Sequence, residues 1–278
     1  MSGKLFIVAT PIGNLDDITL RALATLKAVD GILAEDTRHA GILLRHFQIE
    51  RPVQALHEHN ERIAVDRIMA ELLAGKNMAL ISDAGTPLIS DPGFVLVRAA
   101  QAQGIAVVPI PGACAAIAAL SVAGLPTDQF YFAGFLPAKH NARVQKLNEF
   151  KSLEMTIVCY ESTHRIVEAL ADLAEQLPDR PSVLAKELTK SFETVKTGTA
   201  QELLTWIQVD PARQKGEFVL LIAGAAARSE DQPSAAVEKM LHLLAEHLPP
   251  KIAAGIAAEI TGQKKNALYE LLLSLKQR

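Results

Sequence analysis

The stretch MALISDAGTPLISDPG, Met78–Gly93, decides the fold. Met78 to Ser82 form a near-continuous apolar run of strand character. The run stops at Asp83-Ala84-Gly85-Thr86-Pro87, and a second Asp-Pro-Gly follows at Asp91, Pro92 and Gly93. The residues after it, FVLVRAAQAQ, have the apolar spacing of a helix. A buried strand that delivers a carboxylate and a glycine turn to its carboxyl end is how open α/β sheets build a ligand crevice. Glycine and proline alone would make a tight turn. A turn needs neither Asp83 at the strand end nor a second Asp-Pro-Gly, so the stretch reads as a ligand loop.

The same alternation extends to either side. Leu5–Thr10 (LFIVAT) reads as a strand that runs into a Pro-Ile-Gly-Asn turn, with Asp16, Asp17 and Thr19 as caps for a helix reaching Ala28. Gly31–Asp36 (GILAED) is a short strand that ends in two carboxylates. Ile63, Ile68, Leu72 and Leu73 mark a helix from Arg62 to Leu73, closed by Gly75. Val107–Gly112 (VVPIPG) completes a βαβ series, which predicts a mostly parallel sheet in a first domain, residues 1–124. Phe130–Pro137, Met155–Ser162, VLAKEL, ETVKTGTA and Glu217–Gly224 are strand-like, with a helix from about His164 to Leu177. Several strands in succession predict a mixed sheet in a second α/β domain, residues 125–228. Arg228–Ser234 (RSEDQPS) is polar and reads as a linker. Residues 229–278 read as a helical module with a helix-turn-helix-like pattern about Gly262.

Composition bounds the chemistry. The 278 residues suit two domains and an appendage, and a 49% hydrophobic fraction is ample for their cores. A net charge of −3 gives no global basic field, so nucleic acid would have to be met by local patches. From Lys251 onward the balance is +3, from five Lys/Arg against two Glu. Cys114 and Cys159 lie in apolar contexts and read as reduced thiols of a cytoplasmic protein. MSGKLFIVAT meets Pro11 too early for a signal peptide, and the apolar tract Ile105–Leu125 is broken by Pro109, Pro111, Gly112 and Gly124, so no membrane span is expected. Neither G-x-G-x-x-G nor G-x-x-x-x-G-K-[ST] occurs, which removes the common nucleotide fingerprints.

Other polar clusters have two readings each. AEDTRHAG (Ala34–Gly41) is either a self-paired ion cluster or a site. In HEHNE (His57–Glu61), His57 and His59 would share a face on a strand, but no third ligand stands at a known metal spacing, so no metal is expected. Lys139, His140, Arg143 and Lys146 make a basic cluster after GFLP. YESTHR (Tyr160–Arg165) and KELTK (Lys186–Lys190) put charges of both signs at buried strand ends, where unpaired charge is costly. They either pair with each other or present Arg165, Lys186 and Lys190 to a phosphate backbone. Lys264 and Lys265, at the turn of the helical module, suit either a plain hairpin or a nucleic-acid contact.

TPIGNLDDIT, AEDTRHAG, SDAGTPLISDPG, PIPGACAA, GFLP, YESTHR, ELTK and GEFVLLIAG stand here in the order expected of one family. The chain resembles, over nearly its whole length, the tetrapyrrole-methylase-like (class III) S-adenosylmethionine-dependent methyltransferases. Within them it resembles the ribosomal RNA small-subunit methyltransferase I branch, which methylates the ribose 2′-oxygen of a cytidine. The resemblance implies a cofactor cleft between two α/β domains, a homodimer, S-adenosylmethionine as cofactor, and small-subunit RNA or the assembled subunit as partner. It places Pro11, Ile12 and Gly13, Asp83, Ala84, Gly85 and Thr86, Cys114 and Ala115, Tyr160, and Glu217, Phe218 and Val219 at the cofactor. Cys114-Ala115 falls where the family usually has a small Ser/Thr-Ala pair. The first turn lacks the G-x-G-x-G of porphyrin-modifying members, and Asp83 is followed by Ala-Gly, not Pro; both departures favour the RNA branch.

A base, or a cation that stabilises the developing alkoxide, is expected among the charged residues near strand ends, Glu35, Asp36, His57, Glu161, Lys186, Glu187 and Lys190. Lys186 and Glu187 are the expected catalytic pair, together with Arg165, which with Arg38 grips phosphate, and Lys190, Lys264 and Lys265 add RNA contacts. The competing expectations are a methyltransferase of a small tetrapyrrole-like substrate, and a non-catalytic RNA-binding assembly factor.

Overall fold

The computed structural model describes residues 2–57, 59–226 and 235–275. It divides into two compact units, Met1–Ala225 and Ala226–Arg278.

The first unit holds two five-stranded sheets. Sheet one is built from β1 (Lys4–Val8), β2 (Gly31–Ala34), β3 (Val53–Ala55), β4 (Met78–Ile81) and β5 (Ala106–Ile110). Its order is β3-β2-β4-β1-β5, and every pairing is parallel. The intervening helices are α1 (Leu20–Ala28), α2 (Thr37–His46), α3 (Glu61–Leu73) and α4 (Phe94–Ala102). Both faces are covered, as a parallel sheet requires. One core joins Leu5, Leu33 and Leu80 to Ile68, Leu72 and Leu96. The other joins Val8, Ile32 and Ile81 to Leu26 and Leu44. All residues of β2 and β4 are buried, which explains their unbroken apolar runs.

Sheet two contains β6 (Phe130–Phe135), β7 (Thr156–Ser162), β8 (Pro181–Lys186), β9 (Thr194–Thr199) and β10 (Glu217–Ile222). Its order is β6-β7-β10-β8-β9; β6 and β7 run parallel and the other pairs antiparallel. Helices α6 (His140–Phe150), α7 (Ile166–Gln176) and α8 (Ala200–Gln208) cover one face. The other face is covered by α5 (Ala115–Val122), although α5 follows β5 of sheet one. Ala116, Ala119 and Ala123 bring it against Val158, Val183, Ala185 and Val219. The small residues of PIPGACAA therefore serve a close contact between the two sheets' elements.

Two local readings are sharpened by the structure. The His57 segment lies in a loop after β3, so the two imidazoles do not share a strand face; the Asn60 side chain accepts from the His57 amide at 2.8 Å and shapes the turn. The basic cluster after GFLP is the start of α6. There Arg143 is buried, and its Nε donates to Asp172 Oδ2 at 2.6 Å. Lys146 pairs with Glu149 at 2.9 Å. The linker Arg228–Ser234 lies outside the described residues.

The second unit is helical: α9 (Ala235–His247), α10 (Pro250–Thr261) and α11 (Lys265–Leu275). Ala253, Ala254 and Ala257 of α10 pack with Val237, Leu241, Leu268 and Leu272. Gly262 ends α10 at φ +72°, a left-handed position that glycine takes without a Cβ penalty.

Candidate active site

The loops at the carboxyl edge of sheet one are tied to one another. Thr10 and Gly85 exchange backbone hydrogen bonds of 2.8 and 3.2 Å, joining the turns after β1 and β4. The Thr86 hydroxyl donates to the Ala113 carbonyl at 3.0 Å, joining the turn after β5. Gly85 sits at φ +82°, with room for a Cβ only 3.2 Å from Ile12.

A cavity of roughly 470 Å³ lies against these loops. Ile12, Asp83 to Thr86, Asp91, Cys114 and Ala115 line it from the first half of the unit. Phe135, Tyr160 to His164, Ala185, Leu188 and Gly216 to Val219 line it from the second. Of the residues assigned to the cofactor by sequence, all line this cavity except Pro11 and Gly13. Pro11 is buried beneath the turn. Gly13 packs on the turn after β8: a Cβ there would meet Lys190 Cγ at 2.5 Å, and Asn14 donates to Thr189 Oγ1 at 3.1 Å.

Tyr160 is the centre of the second wall. Its hydroxyl accepts from the Ala116 amide at 3.2 Å, and Phe132 and Phe135 meet its ring edge-on at 5.0 and 5.7 Å. Burial pushes its phenol well above the ordinary value, so it stays protonated.

The carboxylates around the cavity are mostly engaged. Asp83 accepts from the Asp36 amide with Oδ1 at 3.1 Å and faces His39 Nδ1 with Oδ2 at 3.1 Å. Glu161 is buried and holds Arg165 at 3.0 Å with one oxygen. Glu217 pairs with Lys190 at 2.8 Å. Among the described residues Asp91 has no basic partner, and burial pushes its carboxyl up to about 6. Glu35 and Asp83 add to that effect, and a hydrogen bond from Ser82 opposes it.

The strand pleat decides where the expected catalytic pair stands. Successive residues of β8 face opposite ways. Ala185 and Val183 therefore face α5 and the cavity side, while Leu184 packs in the core on the other face. Lys186 pairs across with Phe218, in the row of that other face, and does not line the cavity. Glu187 accepts from Lys190 Nζ and from the Glu217 amide, both at 2.9 Å. Glu187 and Lys190 thus clamp the turn after β8 to β10, and their charges satisfy each other. Arg165 lies over the Phe135 ring at 5.8 Å while paired with Glu161. Arg38 grips Asp36 with two nitrogens, and its side chain stays 88% exposed. Lys264 and Lys265 are exposed at the start of α11. Among the described residues no three His, Cys, Asp or Glu side chains converge as a metal site requires. None of the helices, over the described residues, is long and apolar enough to cross a membrane.

Sequence reasoning passed over Asp91 as a site residue, and missed Ala185, Leu188 and the docking of α5. The second Asp-Pro-Gly was the available signal for Asp91. The other three depend on how sheet two packs.

Residues 4–204 match the family of Tetrapyrrole (Corrin/Porphyrin) Methylases. The chain belongs to this family. Residues 231–276 of the methylase match the RsmI C-terminal HTH domain. The methylase is 53% identical over 272 residues to the ribosomal RNA small subunit methyltransferase I of Escherichia coli O157:H7, covering 98% of this chain and 95% of the relative. It is also 53% identical over 274 residues to the protein of that name from Pseudomonas aeruginosa, covering 98% and 97%. Among solved structures it resembles the uroporphyrin-III C-methyltransferase of Thermus thermophilus complexed with S-adenosylhomocysteine, at TM-score 0.54 and 16% identity, over 80% of this chain and 97% of that one. At that identity the likeness speaks for the fold.

The cofactor of the methylase is S-adenosylmethionine. The cavity suits it. The carboxylate Asp83 offsets its positive charge, Ile12, Leu188 and Val219 offer apolar wall, and the left-handed Gly85 leaves backbone approachable.

Proposed function

We propose that this methylase transfers a methyl group to the ribose 2′-oxygen of a cytidine in small-subunit ribosomal RNA. The observation that supports it best is the similarity over nearly the full length, helical module included, to relatives named for that RNA. A small planar substrate would give the helix-turn-helix module no task.

Bound S-adenosylmethionine supplies a methyl group already activated on a cationic sulfur. The protein has to align acceptor oxygen, methyl and sulfur, and positioning of this kind can supply about 7–11 kcal/mol of a barrier. In this reading residues 1–124 and 125–228 grip the cofactor from two sides. Ile12, Asp83 to Thr86, Cys114 and Ala115 form one wall, and Tyr160 with Glu217 to Val219 forms the other. The exposed Arg38, Lys264 and Lys265 meet phosphates. Lys190 and Arg165 serve the frame of the site, since each is held in an ion pair and mostly covered, whereas Arg38, also paired with Asp36, keeps an open side chain. The protein acts in the cytoplasm, as a homodimer.

The reading is tested by mass-spectrometric mapping of methyl groups on small-subunit RNA from cells with and without the protein. One cytidine should lose its 2′-O-methyl group in the deletion strain and regain it with purified protein and cofactor. An unchanged map would reject the reading.

A further inference from the structure

The cavity carries four carboxylates, and three are committed. Both Asp83 oxygens face the start of α2, one on the Asp36 amide and one on His39. Glu161 is closed off from solvent and bound to Arg165. Glu217 is bound to Lys190. Among the described residues, Asp91 alone of the four faces the cavity without a cation.

The loop that carries Asp91 is strained into its course. Leu88 and Ser90 adopt φ of +72° and +68°, a region that non-glycine residues enter at a cost. The chain thereby doubles back after Asp83 and returns Asp91 to the cavity wall. Across from it stands Tyr160, whose phenol is affected by the Asp91 charge. The groups that face Asp91 are thus Glu35 after β2, Ser82 and Asp83 after β4, and Tyr160 on β7.

We propose that Asp91 is the catalytic base that removes the proton from the substrate hydroxyl. The inference rests on the ribose-methylation reading above. The Asp91 carboxylate takes the hydroxyl proton while the oxygen forms its bond to the methyl carbon. The carbon–sulfur bond breaks with its electron pair going to sulfur, which leaves an ether and a neutral thioether. Asp91 ends protonated and returns its proton to water. A carboxyl that titrates at about 6 is ionised at neutral pH and is a stronger base than an ordinary aspartate.

The test is Asp91→Asn in the full chain. S-adenosylhomocysteine should bind within about threefold of the native affinity by calorimetry, while kcat on the RNA falls about 10²- to 10⁴-fold, the usual share of a general base. The native kcat should show an acid limb near pH 6 that is absent in Asp91→Asn and partly restored in Asp91→Glu. Thermal unfolding without substrate is a second readout. A carboxyl whose folded value is raised costs stability as pH rises through that value. Asp91→Asn should therefore melt higher than native at pH 7.5, with the gain shrinking towards pH 5. Native methylation with an undiminished Asp91→Asn rate, or an acid limb that survives the substitution, overturns this inference alone. A native protein that methylates no ribose overturns the reading beneath it as well, and unfolding then still reports whether Asp91 titrates as described.

Discussion

The Tyr160 hydroxyl accepts a hydrogen bond from the Ala116 amide at 3.2 Å, so a side chain of sheet two caps the start of a helix that sheet one launches. Phenylalanine would keep the ring contacts and leave that amide without its acceptor. Tyr160→Phe should lose about 0.5–1.5 kcal/mol in urea unfolding, the net worth of one such bond. Because Tyr160 also lines the cavity, S-adenosylhomocysteine should bind more weakly, which calorimetry would measure.

Glu61 performs the same service for α4. The residue before that helix is Gly93, which has no side chain to cap with, and the buried Glu61 Oε1 accepts from the Val95 and Leu96 amides at 2.9 and 3.2 Å. Glu61→Ala would leave those donors unsatisfied, at a cost of about 1–3 kcal/mol. Glu61→Gln keeps an acceptor oxygen and should cost less. Since α4 follows the Asp83–Gly93 loop, Glu61→Ala should also reduce turnover, a loss that denaturation and initial-rate measurements would show together.

The His39–Asp83 pair makes a pH-dependent contribution. The hydrogen bond and charge of Asp83 raise the affinity of His39 for its proton above the ordinary value. A histidine raised on folding adds stability that is fully present below its unfolded value, about 6.5, and is lost as pH rises through the higher folded value. The difference in melting temperature between native protein and His39→Gln should be larger at pH 5.5 than at pH 9. An equal difference at both would mean that the pair contributes nothing through its charge.

If the helical module docks on RNA, Lys264 and Lys265 act through counterion release. The double substitution to glutamine should weaken RNA binding and lower the slope of log K against log salt by about 1 to 2. Binding of S-adenosylhomocysteine should not change. Fluorescence titration at several salt concentrations, with and without the substitutions, measures both.

The elements of sheet one were legible because their signals are local. Met78 to Ile81 and Gly31 to Ala34 are buried along their whole length, and each is followed by a turn and an amphipathic helix. The three-residue β3 and helices α2, α6 and α8 were not read. Val53–Ala55 is too short for a period to show, and α6 opens on Lys139, His140 and Arg143, which look like surface until Asp172 draws Arg143 inside. Most of the cavity lining was legible through ordered motifs, whereas the state of the charges beside it was not, because a charge at a strand end looks alike whether it is paired or free.

What the sequence determined by itself was the pair of α/β sheets, the helical module, the loops that bear Asp83 and Cys114, and the strand that bears Tyr160. These rest on residue periodicity, on turn chemistry and on motifs whose order is written in the chain. What only the tertiary structure decided was which side chains remain available in the cavity. The pleat of β8 turns Lys186 away from it, ion pairs occupy Glu187, Lys190 and Arg165, and two left-handed residues bring Asp91 back to its wall. Partner and burial set the reactivity of a charged group, and both come from segments distant in the chain.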